Sequence, residues 1–330
     1  MKRLFLFMMI LAMAMAVGAK TVYVDGDTGS DSNSGLYPSA AMGTFDNALD
    51  LCSPGDVIVM YNYQENLADA DVPYDIGGIS MKGYGDTWFD AKNVTSGETI
   101  IFRINISSGY AYNMEISGIT FKNTDTTPAF VGKWFQDTGT FSTSHPYQII
   151  VDSCDFWNCG SIASSTDYCF YFLNAGPKWG FFNCYAYDSM CIVRASPYCW
   201  ADYGRNQFYN NVFEASVATR YSGVNTVEST YGGEFVDNVF IRMAQGIAAH
   251  ASVIPDTILN HENNNVFYLV TTPIYVNGSR AIDATSHNST NPLVTGGCTA
   301  NNSPIWDWTG SGAYHKYIGR TQRKVGLMVN

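Results

Sequence analysis

Apolar and polar residues change places in short runs along this chain, and from residue 115 onward the runs repeat. Six segments share one pattern: Glu115 to Phe121, Ile150 to Phe156, Gly180 to Ala186, Gln207 to Phe213, Glu234 to Phe240 and His261 to Phe267. Taking the last residue of each as an anchor, successive anchors lie 35, 30, 27, 27 and 27 residues apart. Three equal periods in a row predict a solenoid in which each period is one coil. Five residues before the anchors stand Ile116, Val151, Phe181, Phe208 and Phe235, with Glu262 as the exception. Two residues before them stand Ile119, Cys154, Cys184, Asn211, Asn238 and Asn265. Equivalent residues of neighbouring coils would stack at the spacing of paired strands, about 4.8 Å. Stacked rings would then fill a tube, and stacked Asn side chains would bond amide to amide at a bend.

Weaker coils are predicted upstream at Val57 to Met60, Ile79 to Met81 and Ile100 to Phe102, roughly 22 residues apart. Clusters of Gly, Asn, Asp and Ser between the runs supply turns. One helix is predicted from Thr44 to Cys52, with Thr44 as its N-cap and Phe45, Ala48, Leu49 and Cys52 on one face. Ser53-Pro54-Gly55-Asp56 ends it. Such a helix would cover the open end of a coil stack, which otherwise exposes apolar cross-section and unpaired strand edges. Ile305 to Trp308 and Tyr314 to Tyr317 are candidates to cover the other end. The expected organisation is a leader at 1–19 and one domain at 20–330. Within that domain an N-terminal cap spans about 20–56 and a C-terminal cap about 300–330.

The leader is read from Lys2 and Arg3, an apolar run from Leu4 to Val17, and the small residues Gly18 and Ala19. The run is too short for a stable membrane helix, so it reads as a cleaved secretory signal. The expected location is secreted, periplasmic or at the cell surface. Without Lys2 and Arg3 the chain has 16 basic residues against 29 acidic ones, a net charge of −13. That field excludes nucleic acid and anionic membranes as partners by long-range attraction. Eight cysteines are too few to carry the fold, but export permits disulfides. Cys154 and Cys184 are 30 residues apart, as are Cys169 and Cys199, so each pair is expected to stack. Each is either a disulfide or a pair of reduced thiols.

Three segments carry a family likeness: Thr21-Val-Tyr-Val-Asp-Gly-Asp-Thr-Gly-Ser-Asp-Ser-Asn-Ser-Gly35, Thr44-Phe-Asp-Asn-Ala-Leu49 and Pro54-Gly-Asp-Val-Ile58. They resemble the N-terminus of the pectin-lyase-like right-handed parallel β-helix superfamily. The resemblance implies an all-β solenoid with a short capping helix, and an extracellular polysaccharide or cell-surface glycan as partner. That superfamily holds lyases, hydrolases, esterases and non-catalytic surface proteins, so it leaves activity open. Asn123-Thr124-Asp125 matches one polygalacturonase segment, but the double Asp, Gly-His-Gly and Arg-Ile-Lys are missing. Arg194-Ala-Ser-Pro197 is one residue away from a pectate-lyase Arg-x-Pro-x-x-Arg and lacks its second Arg.

A lyase needs a base beside a uronate carboxyl and a cation to stabilise the enolate. Lys178 and Arg205 both fall eight residues before an anchor and are expected to share a column. With Arg194 and Arg220 they form the candidate catalytic set; Asp202 and Glu214 lie on the same coils as candidate substrate contacts. The plain alternative is a surface ladder of mixed charge. Asp152, Asp155 and Asp188 are the candidate ligands for Ca2+, the one cofactor considered, against an alternative as turn carboxylates. Asp25, Asp27, Asp31 and Asn33 read as ordinary turn residues. Trp157, Tyr187 and Tyr268 fall one residue after anchors and are expected to face outward, where rings stack on sugars or pack beneath loops. Two functions follow: a polysaccharide-active protein, most simply a lyase, or a non-catalytic glycan-binding or adhesive β-helix.

Overall fold

Residues that alternate inward and outward, in runs of two to six broken by turn formers, make short strands whose apolar side chains need partners from other coils. The computed structural model describes residues 19–95, 99–105, 113–124, 132–137, 148–159, 169–172, 178–189, 193–195, 206–216, 222–226, 233–249, 262–263, 265–276, 280–282 and 299–301. Their strands run from β1 (Thr21–Asp25) to β27 (Thr299–Asn301) and form three nine-stranded sheets. The chain visits the sheets in a fixed rotation. In one coil, β11 (Gln148–Asp152) lies in the first sheet, β12 (Asp155–Trp157) in the second and β13 (Phe170–Phe172) in the third. The next strand, β14 (Lys178–Phe182), returns to pair parallel with β11. Pairing is parallel throughout, except where β25 (Thr272–Val276) meets β26 (Arg280–Ile282) antiparallel. Mostly parallel β structure with little helix is consistent with a parallel β-helix. No helix among the described residues is long and apolar enough to cross a membrane.

The anchors stack in one column of the second sheet. Phe121, Phe156, Ala186, Phe213, Phe240 and Phe267 are paired in that order, and the column continues to Phe89 above and Ala300 below. Phe240 and Phe267 stack with ring centroids 5.0 Å apart and planes 8° from parallel. The column five residues earlier is also in register, from Ile116 through Val151, Phe181, Phe208 and Phe235 to Glu262. A third aromatic column, Tyr74–Phe102–Phe135–Phe170, lines the third sheet. Ile100 to Phe102 belongs to this column, within β7 (Thr99–Ile104), and not to the column of Ile58 and Met81 on the first sheet. An apolar run specifies burial, but not which side of the tube it faces.

The corners use polar chemistry. Asn211, Asn238 and Asn265 are fully buried. Asn211 Nδ2 donates to Asn238 Oδ1, and Asn238 Nδ2 to Asn265 Oδ1, each at 2.9 Å. The same amides donate to the carbonyls of Phe181, Phe208 and Phe235, so no polar atom of the ladder is stranded. Just before this ladder Ser153, Asn183, Asn210 and Asp237 adopt φ near +56 to +59°. Asn and Asp bear that conformation better than other L residues. Cys154 and Cys184 continue the ladder as reduced thiols, each Sγ donating to backbone carbonyls. Cys199 lies outside the described residues.

Helix α1 (Phe45–Leu51) seals the N-terminal end with Phe45 and Ala48 buried and Cys52 as C-cap. Phe45 meets Tyr74, Phe89 and Phe102 edge-on at 5.2, 5.3 and 6.2 Å. Thr44 is the N-cap by backbone geometry, yet its side chain makes no cap bond. Instead Asp31 Oδ1 accepts the amides of Gly43 and Thr44 at 3.0 and 2.9 Å, and Tyr63 Oη accepts that of Phe45 at 3.0 Å. Asp25 accepts the amides of Asp27 and Thr28 and the Thr28 hydroxyl. These carboxylates are therefore occupied by turn donors. The expected C-terminal cap at Ile305 to Tyr317 lies outside the described residues.

Candidate functional site

Because the anchors point inward, the residues on either side of them point out of the second sheet. The position after each anchor reads Lys122, Trp157, Tyr187, Glu214, Ile241 and Tyr268, in register. The position before it includes Asp155, Tyr185, Val212 and Val239. Tyr185, Val212, Val239 and Ile241 form a small apolar cluster outside the tube, all buried, with half-buried Trp157 and Tyr187 packed at its margin. Trp157 meets Tyr185 edge-on at 5.2 Å and Tyr187 obliquely at 5.3 Å. Upstream on the same face, Lys122 Nζ sits 3.5 Å from the centroid of Trp88.

A polar group lies beside these rings. Glu214 accepts the Tyr185 hydroxyl at 2.9 Å on one carboxylate oxygen and the Arg242 guanidinium on the other. Arg242 takes its place at a left-handed turn residue, φ +52°. Its Nε–H is buried and meets no acceptor among the described residues. Burial raises the Tyr185 and Tyr187 hydroxyls above the ordinary phenol range, and the Glu214 charge pushes the same way, so both are donors at neutral pH. The face thus brings two half-buried aromatic rings, a tyrosine hydroxyl, a carboxylate and a guanidinium together in one patch.

No known family model matches the chain, and no curated protein matches it. Among solved structures a rhamnogalacturonan lyase is similar at 13% identity and a TM-score of 0.40, covering 76% of this chain and 68% of that one.

The candidates named from sequence separate by sheet. Trp157, Tyr187 and Glu214 occupy one outward column of the second sheet, and Tyr268 is in register with them along the backbone. Lys178 opens β14 on the first sheet, opposite Gln148. Arg194 sits in β16 (Val193–Ala195) on the third, opposite Tyr171 and Asn225. The structure therefore does not bring Lys178, Arg194 and Glu214 onto one face. Arg205, Arg220 and Asp202 lie outside the described residues.

The acidic trio is also spread out. Asp152, at the end of β11, accepts Asn183 Nδ2 at 2.9 Å. Asp155 is buried at the start of β12, and Asp188 Oδ1 accepts the Ser216 amide at 2.6 Å beyond β15 (Tyr185–Tyr187). No group of three or more His, Cys, Asp or Glu suited to a metal occurs among the described residues. Tyr185 and Arg242 were not singled out from sequence. The signal existed for Tyr185, which stands one residue before an anchor; Arg242 stands two after one, where alternation would turn it inward, and its left-handed turn sets its direction instead.

Proposed function

We propose that this chain is an exported, carbohydrate-active right-handed parallel β-helix that engages a polysaccharide along the outer face of its second sheet. The observation that carries the reading is the Glu214 carboxylate held between Arg242 and the Tyr185 hydroxyl, at the edge of the Trp157 and Tyr187 rings. Sugar rings present apolar C–H faces to aromatic rings and hydroxyls to charged partners, and this patch supplies both. The leader at 1–19 and the single domain that follows belong to the same reading.

The test is equilibrium binding to a panel of neutral and uronate-containing polysaccharides. Trp157→Ala and Arg242→Gln should each weaken binding about tenfold or more, the loss of one good stacking or charge-assisted contact. Unchanged affinity in both variants would remove the patch from the reading.

Turnover is a second reading, favoured by a carboxylate held against a tyrosine hydroxyl, the arrangement general acid–base chemistry uses. An absorbance assay for unsaturated uronate products, with and without Ca2+, separates a lyase from a binding protein. Lys178→Ala and Arg205→Ala examine the basic pair directly, since their loss abolishes turnover only if they act in it.

A further inference from the structure

Lys20 is where the chain enters the fold. Its carbonyl accepts the Val57 amide at 2.9 Å, beside the pairing of β1 with β2 (Val57–Tyr61). Ala19, one residue earlier, is exposed. The Lys20 amide reaches the turn that follows α1 and donates to Asp56 Oδ1 at 2.7 Å. Asp56 is buried. Its second oxygen accepts the Ser53 amide at 2.8 Å, and its own amide returns to the Ser53 carbonyl at 3.0 Å, closing the turn. The Lys20 side chain, partly exposed, holds its ammonium 3.6 Å from Oδ2 and donates to the Leu51 carbonyl at the helix C-terminus. A buried carboxylate is costly unless charge is matched to it closely, and a backbone amide bonds to it without matching the charge.

We propose that removal of the leader converts the Lys20 nitrogen into an α-ammonium that forms a salt bridge with Asp56, so that processing tightens the N-terminal cap. Two separate observations meet at the bond between Ala19 and Lys20. The small residues Gly18 and Ala19 mark it as a cleavage point, and a buried carboxylate faces the nitrogen that cleavage frees. A leader peptidase hydrolyses that bond with one water. The Ala19 carbonyl carbon takes the water oxygen and leaves as a carboxylate, while the Lys20 nitrogen takes both protons and becomes –NH3+. Strand pairing holds this nitrogen in place, and 2.7 Å is already the length of a charge-assisted bond. Its two new hydrogens take the side that Ala19 vacates, which is open to water. Lys20 then grips the cap with both nitrogens, Nζ on the end of the helix and the α-nitrogen on the turn. The inference rests on the export reading.

Four purified chains test it: one starting at Lys20, one starting at Ala19, and each of these with Asp56→Asn. The extra alanine turns the Lys20 nitrogen back into an amide and carries the ammonium one residue outward. In denaturant unfolding the Lys20 start should show a folding equilibrium constant larger by about fivefold or more, the margin of a charged hydrogen bond over a neutral one. Asp56→Asn should erase that margin. The two unsubstituted chains give a second readout, acylation of the α-amine by an N-hydroxysuccinimide ester at neutral pH, followed by peptide mass. Only the deprotonated amine reacts, so labelling should be several-fold slower for the Lys20 start. Equal stability and equal labelling of the two starts, or a stability margin that survives Asp56→Asn, would overturn the salt bridge. Export is read separately, by sequencing the N-terminus of the chain made by cells from the full sequence, with a start at Lys20 expected. A chain kept inside with its leader removes the export reading, whereas one exported but cut elsewhere removes only this inference.

Discussion

At the scale of single residues, the columns make different demands on the side chains that occupy them. Phe240 is sandwiched between Phe213 at 4.9 Å and Phe267 at 5.0 Å, so its removal leaves a void that two rigid strands cannot close. Phe240→Ala should cost about 3–5 kcal/mol in denaturant unfolding. Asn238 is a link in a chain of amides: its Oδ1 accepts both the Asn211 amide and Asn211 Nδ2, and its Nδ2 serves Phe208 O and Asn265 Oδ1. Asn238→Ala strands these groups away from water and should cost about 1–3 kcal/mol, against a loss below ~0.5 kcal/mol at an exposed control site. The anchor and Asn columns were legible in the sequence because three equal periods of 27 align them. Trp157, Tyr187, Glu214 and Tyr268 fell into one register column for the same reason, since each follows an anchor.

At the scale of elements, the N-terminal cap carries a titrating group in its packing. Glu65, in β3 (Gln64–Ala68), is largely buried and accepts the hydroxyls of Tyr63 and Tyr74 at 2.9 and 2.7 Å. Burial raises its carboxyl above the usual range despite these bonds, which favour the charged form, and neighbouring Asp46 and Asp71 add to the rise. The folded state therefore binds this proton more tightly than the unfolded chain. The associated stability is complete below the unfolded value, about 4.3, and is lost as pH rises through the folded one. Glu65→Gln should flatten the fall in melting temperature across that window, as thermal unfolding at a series of pH values would show. An unaltered pH profile would mean that Glu65 does not titrate in the cap. The helix itself was legible from its apolar spacing. Its capping was not, because Asp31 reaches it from 13 residues away while Thr44 looks like a local cap.

The scale of the whole molecule explains what periodicity hid. Strands on the third sheet follow connections of varying length, so Tyr74, Phe102, Phe135 and Phe170 stack with unequal separations of 28, 33 and 35 residues. No fixed spacing exposes such a column, and Ile100 to Phe102 joined the wrong one when it was placed by spacing alone. Lys178, Arg194 and Glu214 were grouped by shared coils, but coil membership does not fix the side of the tube. Coils that contact only their neighbours are removable as units. Deleting residues 214–240 joins Phe213 to Ile241 and removes one period of 27. The shortened chain should keep its β circular dichroism and unfold cooperatively. Removing half that length reverses inward and outward faces along the join and should abolish cooperative unfolding.

A polysaccharide laid along the outer face of the second sheet would shield that face and leave the others open. Hydroxyl-radical footprinting read by mass spectrometry, with and without a saturating polymer, measures this residue by residue. Trp157 and Tyr187 should be protected, while exposed Tyr37 and Tyr84, which lie away from that sheet, keep their reactivity. Protection at Tyr84, with Trp157 and Tyr187 oxidised as fast as in the free protein, would contradict the proposed face.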